Sequence, residues 1–190
     1  MRSSPYSRTA IALHWLITVL IIGNLVGGLL LEGLFDAPDA ATRQLGFTVV
    51  QLHKSIGLTI MLLSLWRLAI RLRAGFPPLP LHMTGTEKVL ARFTHYGFYV
   101  LMIAIPLSGW VMVSASPFGF PTQWFGLFEW PHLPIAASKA TSETASEAHE
   151  LLAFAAIALI LLHVAGALKH HFFDRDDILA RMIPVLRRKI

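Results

Sequence analysis

HELLAFAAIALILLHVAGALKHH, residues 149–171, is the stretch that decides the fold. It opens on His149, reaches a second histidine at His163, and is almost wholly apolar between them. In an α-helix fourteen residues turn through roughly 1400°, about 40° short of four turns, and rise roughly 21 Å. His149 and His163 therefore share nearly one face at two depths of a hydrocarbon core about 30 Å thick. Two imidazoles so placed on an apolar helix each require a partner.

The composition agrees with a membrane chain. Of 190 residues, 55% are hydrophobic and 14% charged, against about a quarter charged in soluble domains. A net charge of +5 is compatible with nucleic acid, but the basic residues flank apolar segments rather than lining a polar face, so lipid and not nucleic acid is the partner expected. The absence of cysteine excludes disulfides, iron–sulfur clusters and covalent haem attachment.

Four apolar spans are expected, at residues 9–31, 45–72, 89–113 and 147–172, forming one all-α, integral-membrane four-helix bundle. The N-terminal run is too long for a signal-peptide core and is read as the first span. Pro77, Pro78 and Pro80 break the chain between the second and third spans, and Pro106 should kink the third. The outer connection, 114–146, begins with the aromatic and proline-rich SASPFGFPTQWFGLFEWPHLP, which suits an interface segment or one folded back over the bundle. Its second part, IAASKATSETASE, is small, polar and compatible with helix. Of the sixteen Lys and Arg residues, all but Arg43, Lys54 and Lys139 fall on the side that holds both termini. That bias places both termini in the cytoplasm.

Depth then sorts the histidines. His14 and His163 lie toward the cytoplasmic side, and His53 and His149 toward the outer side. A single histidine in an apolar helix is ordinarily a packed, hydrogen-bonded residue. Four that form two depth-matched pairs on three helices call for a shared ligand, and two imidazoles on opposite faces of a flat macrocycle hold haem b. Zinc would want about four ligands, and no carboxylate joins either pair at depth. Arg67 and Arg71, four apart on one helix face, and Lys54 beside His53 are candidates for propionate or anion contacts. His95, His170 and Glu147 are candidates for proton delivery, with His170 ranked below His163 as a ligand because it lies nearer the aqueous edge. Gly23, Gly27, Gly28 and Gly57 are small residues that permit close approach of helices or of a ring.

The chain resembles the bacterial cytochrome b561 family along nearly its whole length. The resemblance is carried by ALHWL at His14, QLHKSIGLTIMLLSLWRLAIRLR at His53, THYGFYVLMIAIPLSGW at His95, AHELLAF at His149 and LHVAGALKHHFFDRDDILARMIP at the end. It implies a di-haem quinone oxidoreductase of the bacterial inner membrane, with His14, His53, His149 and His163 as axial ligands of two non-covalent haems b. It also implies electron exchange with ubiquinone. One member of the family oxidises superoxide outside the membrane; the 114–146 connection here looks longer than in that type and would shape access to the outer haem. Two other readings stay open: a membrane anchor and electron conduit for a separate dehydrogenase or reductase, and a non-redox transporter or metal-handling protein.

Overall fold

The computed structural model describes residues 6–75 and 83–186; the Pro77–Pro80 break and His82 lie outside the described residues. Four long helices make the bundle: α1 (Arg8–Phe35), α2 (Ala40–Ala74), α3 (Gly85–Ala115) and α4 (Lys139–Lys169). All four are long and apolar enough to cross a membrane, and none buries more than 22% of its apolar window within the chain. Large exposed side chains such as Val19, Leu29, Val100, Leu151 and Leu161 therefore need lipid to cover them, as expected of a spanning bundle. Ile17, Ile60 and Met102 form a compact centre, joined by Leu20, Ile56 and Phe98. Pro106 is buried inside α3, which continues through it.

Each helix begins before its expected span because a polar N-cap starts it outside the apolar run. Ser7 accepts from Ala10 N at 3.2 Å ahead of α1, and Thr84 with Glu87 closes a reciprocal capping box ahead of α3. Asp39 accepts from Thr42 N at 2.8 Å ahead of α2, and that backbone N–H holds its carboxyl below the usual range. The largest difference is at α4. Residues 139–146, placed in the connection on sequence grounds, are helical, started by Ser138 accepting from Thr141 N at 3.2 Å.

The aromatic stretch is a β-hairpin, β1 (Thr122–Trp124) paired antiparallel with β2 (Phe128–Trp130). Phe125 (φ 50°) and Gly126 (φ 71°) carry its turn in the left-handed region, which a phenylalanine adopts only when held there. One turn of α2 does the holding. Ser55 Oγ accepts from Phe125 N (3.0 Å) and shares its one proton between Gln51 O of its own helix (2.8 Å) and Gln123 O (3.1 Å), while Gln51 Oε1 accepts from Gln123 N (3.0 Å). Gln51 Nε2 and Lys54 Nζ both donate to Pro121 O, at 3.0 and 2.8 Å. The free edge of the hairpin is thus capped by side chains of the helix that carries His53.

At the opposite end, where α1 begins and α4 ends, Lys169 on α4 pairs with Glu87 on α3 and with Asp174. Helix α4 passes into a π-turn over His170–Asp174, followed by Arg175 at φ 56° and the short α5 (Ile178–Met182). The tail returns to α1, where Trp15 Nε1 donates to Met182 O at 2.9 Å.

Ser55 is fully buried, so Ser55→Ala leaves the Phe125 N–H without its acceptor, a loss of about 1–3 kcal/mol for the docked hairpin. Limited proteolysis between Phe118 and Trp130 should accelerate about tenfold, with the helices remaining intact.

Candidate functional site

The bundle packs as two helix pairs, α1 with α2 and α3 with α4, joined through α2 and α3. Helix α4 meets α1 and α2 at most marginally among the described residues. Both histidine pairs lie across these looser junctions. His14 on α1 faces His163 on α4 with ring centroids 6.3 Å apart and planes crossed at 66°. His53 on α2 faces His149 on α4 at 5.9 Å and 71°. All four are half-buried.

These spacings permit a test of fit for one metal between two rings. A metal–imidazole bond of roughly 2 Å plus a ring radius of roughly 1.1 Å, doubled, puts trans imidazole centroids about 6.3 Å apart. The observed separations lie within a few tenths of an ångström of that value. Each ring can rotate about its own metal bond, so crossed planes are no obstacle. The residues present therefore fit haem b.

The His53/His149 pair, at the hairpin end, is held by backbone. His53 Nδ1 donates to Asn24 O (3.1 Å) on α1, and His149 Nδ1 donates to Ile105 O (2.8 Å) on α3. A carbonyl only accepts, so both Nδ1 atoms carry the proton and both Nε2 atoms are left with a lone pair for a metal.

An interior helix carbonyl is normally shielded by the side chain four residues on, because helical side chains tilt toward the N-terminus. Four residues after Asn24 stands Gly28, and four after Ile105 stands Gly109. A Cβ at Gly28 would lie 3.0 Å from His53 Cε1, and one at Gly109 would lie 3.1 Å from both Cε1 and Nδ1 of His149. The two glycines uncover the carbonyls that orient the rings. Ser108 adds a further contact, its Oγ 3.2 Å from His149 Nδ1.

The sequence reading included Gly28 among several small residues but missed Gly109, Ser108 and both carbonyls. A glycine inside an apolar helix one turn after a partner carbonyl was the available signal, and only the facing histidine gives it meaning. Gly23 and Gly27 have no tight neighbour, and Gly57 meets Asn24 Nδ2 only at an ordinary 3.6 Å.

The His14/His163 pair, at the end where α1 begins, is built differently. His95 on α3 lies 5.8 Å from His163, and Phe98 lies 5.3 Å from it, both edge-on. His95 Nδ1 donates to Ala91 O at 2.6 Å. Arg67 donates to Ala10 O at 2.9 Å and stands near enough for its charge to bear on His14, His95 and His163. Arg71 lies over the Tyr6 ring at 4.5 Å.

The other candidates fall elsewhere. Lys54 is engaged with Pro121 O, and Glu147 is exposed on α4. His170 is buried, with Nδ1 at 2.9 Å from Asp174 Oδ2 and 2.8 Å from Asp176 Oδ2. Glu87, His170 and Asp174 lie close enough together to suggest a cation site. Lys169, paired with both carboxylates, already supplies that positive charge.

Comparison with known proteins identifies the family. Residues 5–185 match the family model for prokaryotic cytochrome b561. The chain is 34% identical over 179 residues to "Cytochrome b561 homolog 2" of Escherichia coli K12, covering 94% of this chain and 90% of that protein. It is 30% identical over 184 residues to "Probable superoxide oxidase CybB" of Yersinia pestis, covering 96% and 97%. To "Cytochrome b562" of Cereibacter sphaeroides it is 29% identical over 178 residues, covering 94% of each. With the family model matched along nearly the whole chain and four helices able to span a bilayer, the chain belongs to the prokaryotic cytochrome b561 family, as a multi-pass, haem-binding electron-transfer cytochrome b of the bacterial inner membrane.

Proposed function

We propose that this cytochrome holds two haems b, one between His14 and His163 and one between His53 and His149. It would carry electrons across the membrane between a donor on the hairpin side and the ubiquinone pool. The observation that carries the reading is the pair of ring separations, 6.3 and 5.9 Å, at two depths of one helix. Haem, when bound, supplies one-electron chemistry, and two imidazoles per iron leave no open coordination position, which favours outer-sphere transfer. The chain's own part is to orient four rings, exclude water and set the charge around each.

The charge distribution supports cytoplasmic termini, with Arg43, Lys54 and Lys139 the exceptions on the other side. Arg67 and Arg71 then stand at the cytoplasmic pair, where guanidinium groups suit propionates. Lys54, beside His53, supplies positive charge on the outer side. His95, His170 with its two carboxylates, and exposed Glu147 at the other end are the ionisable groups to which this reading gives proton handling for quinone chemistry.

Superoxide is the donor favoured for the test, since a relative carrying that name aligns along nearly all of this chain. Purified protein mixed with a superoxide source should show reduced b-type bands that reoxidise with a soluble ubiquinone. A protein that accepts electrons only when a second subunit co-purifies is an electron conduit instead.

The pairing is read by haem content. Wild type should carry two haems per chain; His14→Ala and His163→Ala should each remove the same one, and His53→Ala and His149→Ala the other. A different grouping overturns the pairing.

The glycine positions make a gentler probe. Gly28→Ala and Gly109→Ala push a methyl group against His53 and His149, so each should weaken retention of the hairpin-side haem and leave the other spectrum unchanged.

A further inference from the structure

A ligating imidazole that binds metal through Nε2 presents an Nδ1–H that needs an acceptor, and that acceptor fixes ring orientation and basicity. The hairpin-side pair has main-chain acceptors, Asn24 O and Ile105 O. Among the described residues, no hydrogen bond reaches the ring nitrogens of His14 or His163, so this second centre must obtain its acceptor otherwise.

Helix α3 offers one. His95 donates its Nδ1–H to Ala91 O at 2.6 Å, so in the neutral ring Nε2 is an acceptor. Its centroid is 5.8 Å from that of His163, with planes at 82°. Subtracting a ring radius of roughly 1.1 Å for each imidazole leaves the ring edges roughly 3.6 Å apart, so that a small side-chain adjustment brings a nitrogen of each ring within reach of a hydrogen bond. Phe98, three residues on and on the same face of α3, packs edge-on against His163 at 5.3 Å and limits how that ring can turn. At Gly97 a Cβ would come within 3.0 Å of Leu159, so the glycine lets α3 and α4 approach closely at this level.

We infer that His95 is a positioning residue for His163: its Nε2 accepts the His163 Nδ1–H and sets the orientation and basicity of that ring. His95 binds neither iron nor substrate in this role. The two centres would then differ in kind, one braced by main-chain carbonyls and the other by a side-chain imidazole. A hydrogen bond to a more basic acceptor makes the ligand ring more electron-donating, which favours ferric iron and lowers the reduction potential. The assignment rests on the pairing of His14 with His163 proposed above.

The test is an optical redox titration of full-length protein carrying both haems. In H95F, two haems should be retained, the potential of the haem lost in His163→Ala should move positive, and the other should stay in place. H95Q keeps an oxygen acceptor and should recover most of the shift. Loss of a haem in H95F would make His95 a ligand. Unmoved potentials, a shift in the other haem, or H95Q shifting as far as H95F would each overturn the assignment.

Should H95F fail to accumulate, H95A with and without added imidazole makes the same comparison. Imidazole is small and crosses lipid in its neutral form, so it can reach the vacated position and should reverse the shift; a shift that persists overturns the assignment. Retention of both haems in His163→Ala would instead refute the pairing, and haem content reports that outcome separately.

Discussion

The contact on which the rest of the site depends is a ring nitrogen of one helix reaching the backbone carbonyl of another. Inside a bilayer a helix carbonyl is already bonded within its own turn and is normally shielded by the next turn's side chains. Gly28 and Gly109 remove that shield, so Asn24 O and Ile105 O can accept from His53 and His149 as well. A single methyl group at either glycine would collide with the imidazole. The position of each ring is thus set by backbone, which moves less than any side chain.

Helix α4 is the shared wall. Its two histidines face different helices, His163 toward α1 and His149 toward α2, because the junctions of α4 with those helices are loose while α3 packs tightly along it. Tight packing on one side and open junctions on the other would let a flat macrocycle enter beside a rigid backbone. The central contact of Ile17, Ile60 and Met102 holds α1, α2 and α3 together, so the geometry of α1 and α2 relative to α4 does not depend on side chains at the junctions themselves.

The ends are secured by unlike means. At the hairpin end, Ser55, Gln51 and Lys54 of α2 satisfy the exposed edge of a two-stranded sheet that is too small to be stable alone. At the other end, ion pairs through Lys169 and the carboxylates around His170 bind α3, α4 and the tail. The hairpin occupies the long aromatic connection, whose boundaries contract because its last eight residues belong to α4.

The sequence by itself determined the class of protein: apolar runs long enough to span, basic flanks and a fourteen-residue histidine interval follow from the period and rise of a helix, which need no tertiary information. It also singled out the four histidines that the structure brings together, because depth in a bilayer can be counted along each span. Which helices pack closely, and which stand apart, was decided only by tertiary structure. So were the hairpin, the carbonyl acceptors of His53 and His149, the role of Gly109 and the burial of His170 among carboxylates. Each of these depends on a group far away in the chain, and a backbone carbonyl looks the same at every residue until a fold uncovers one and turns a histidine toward it.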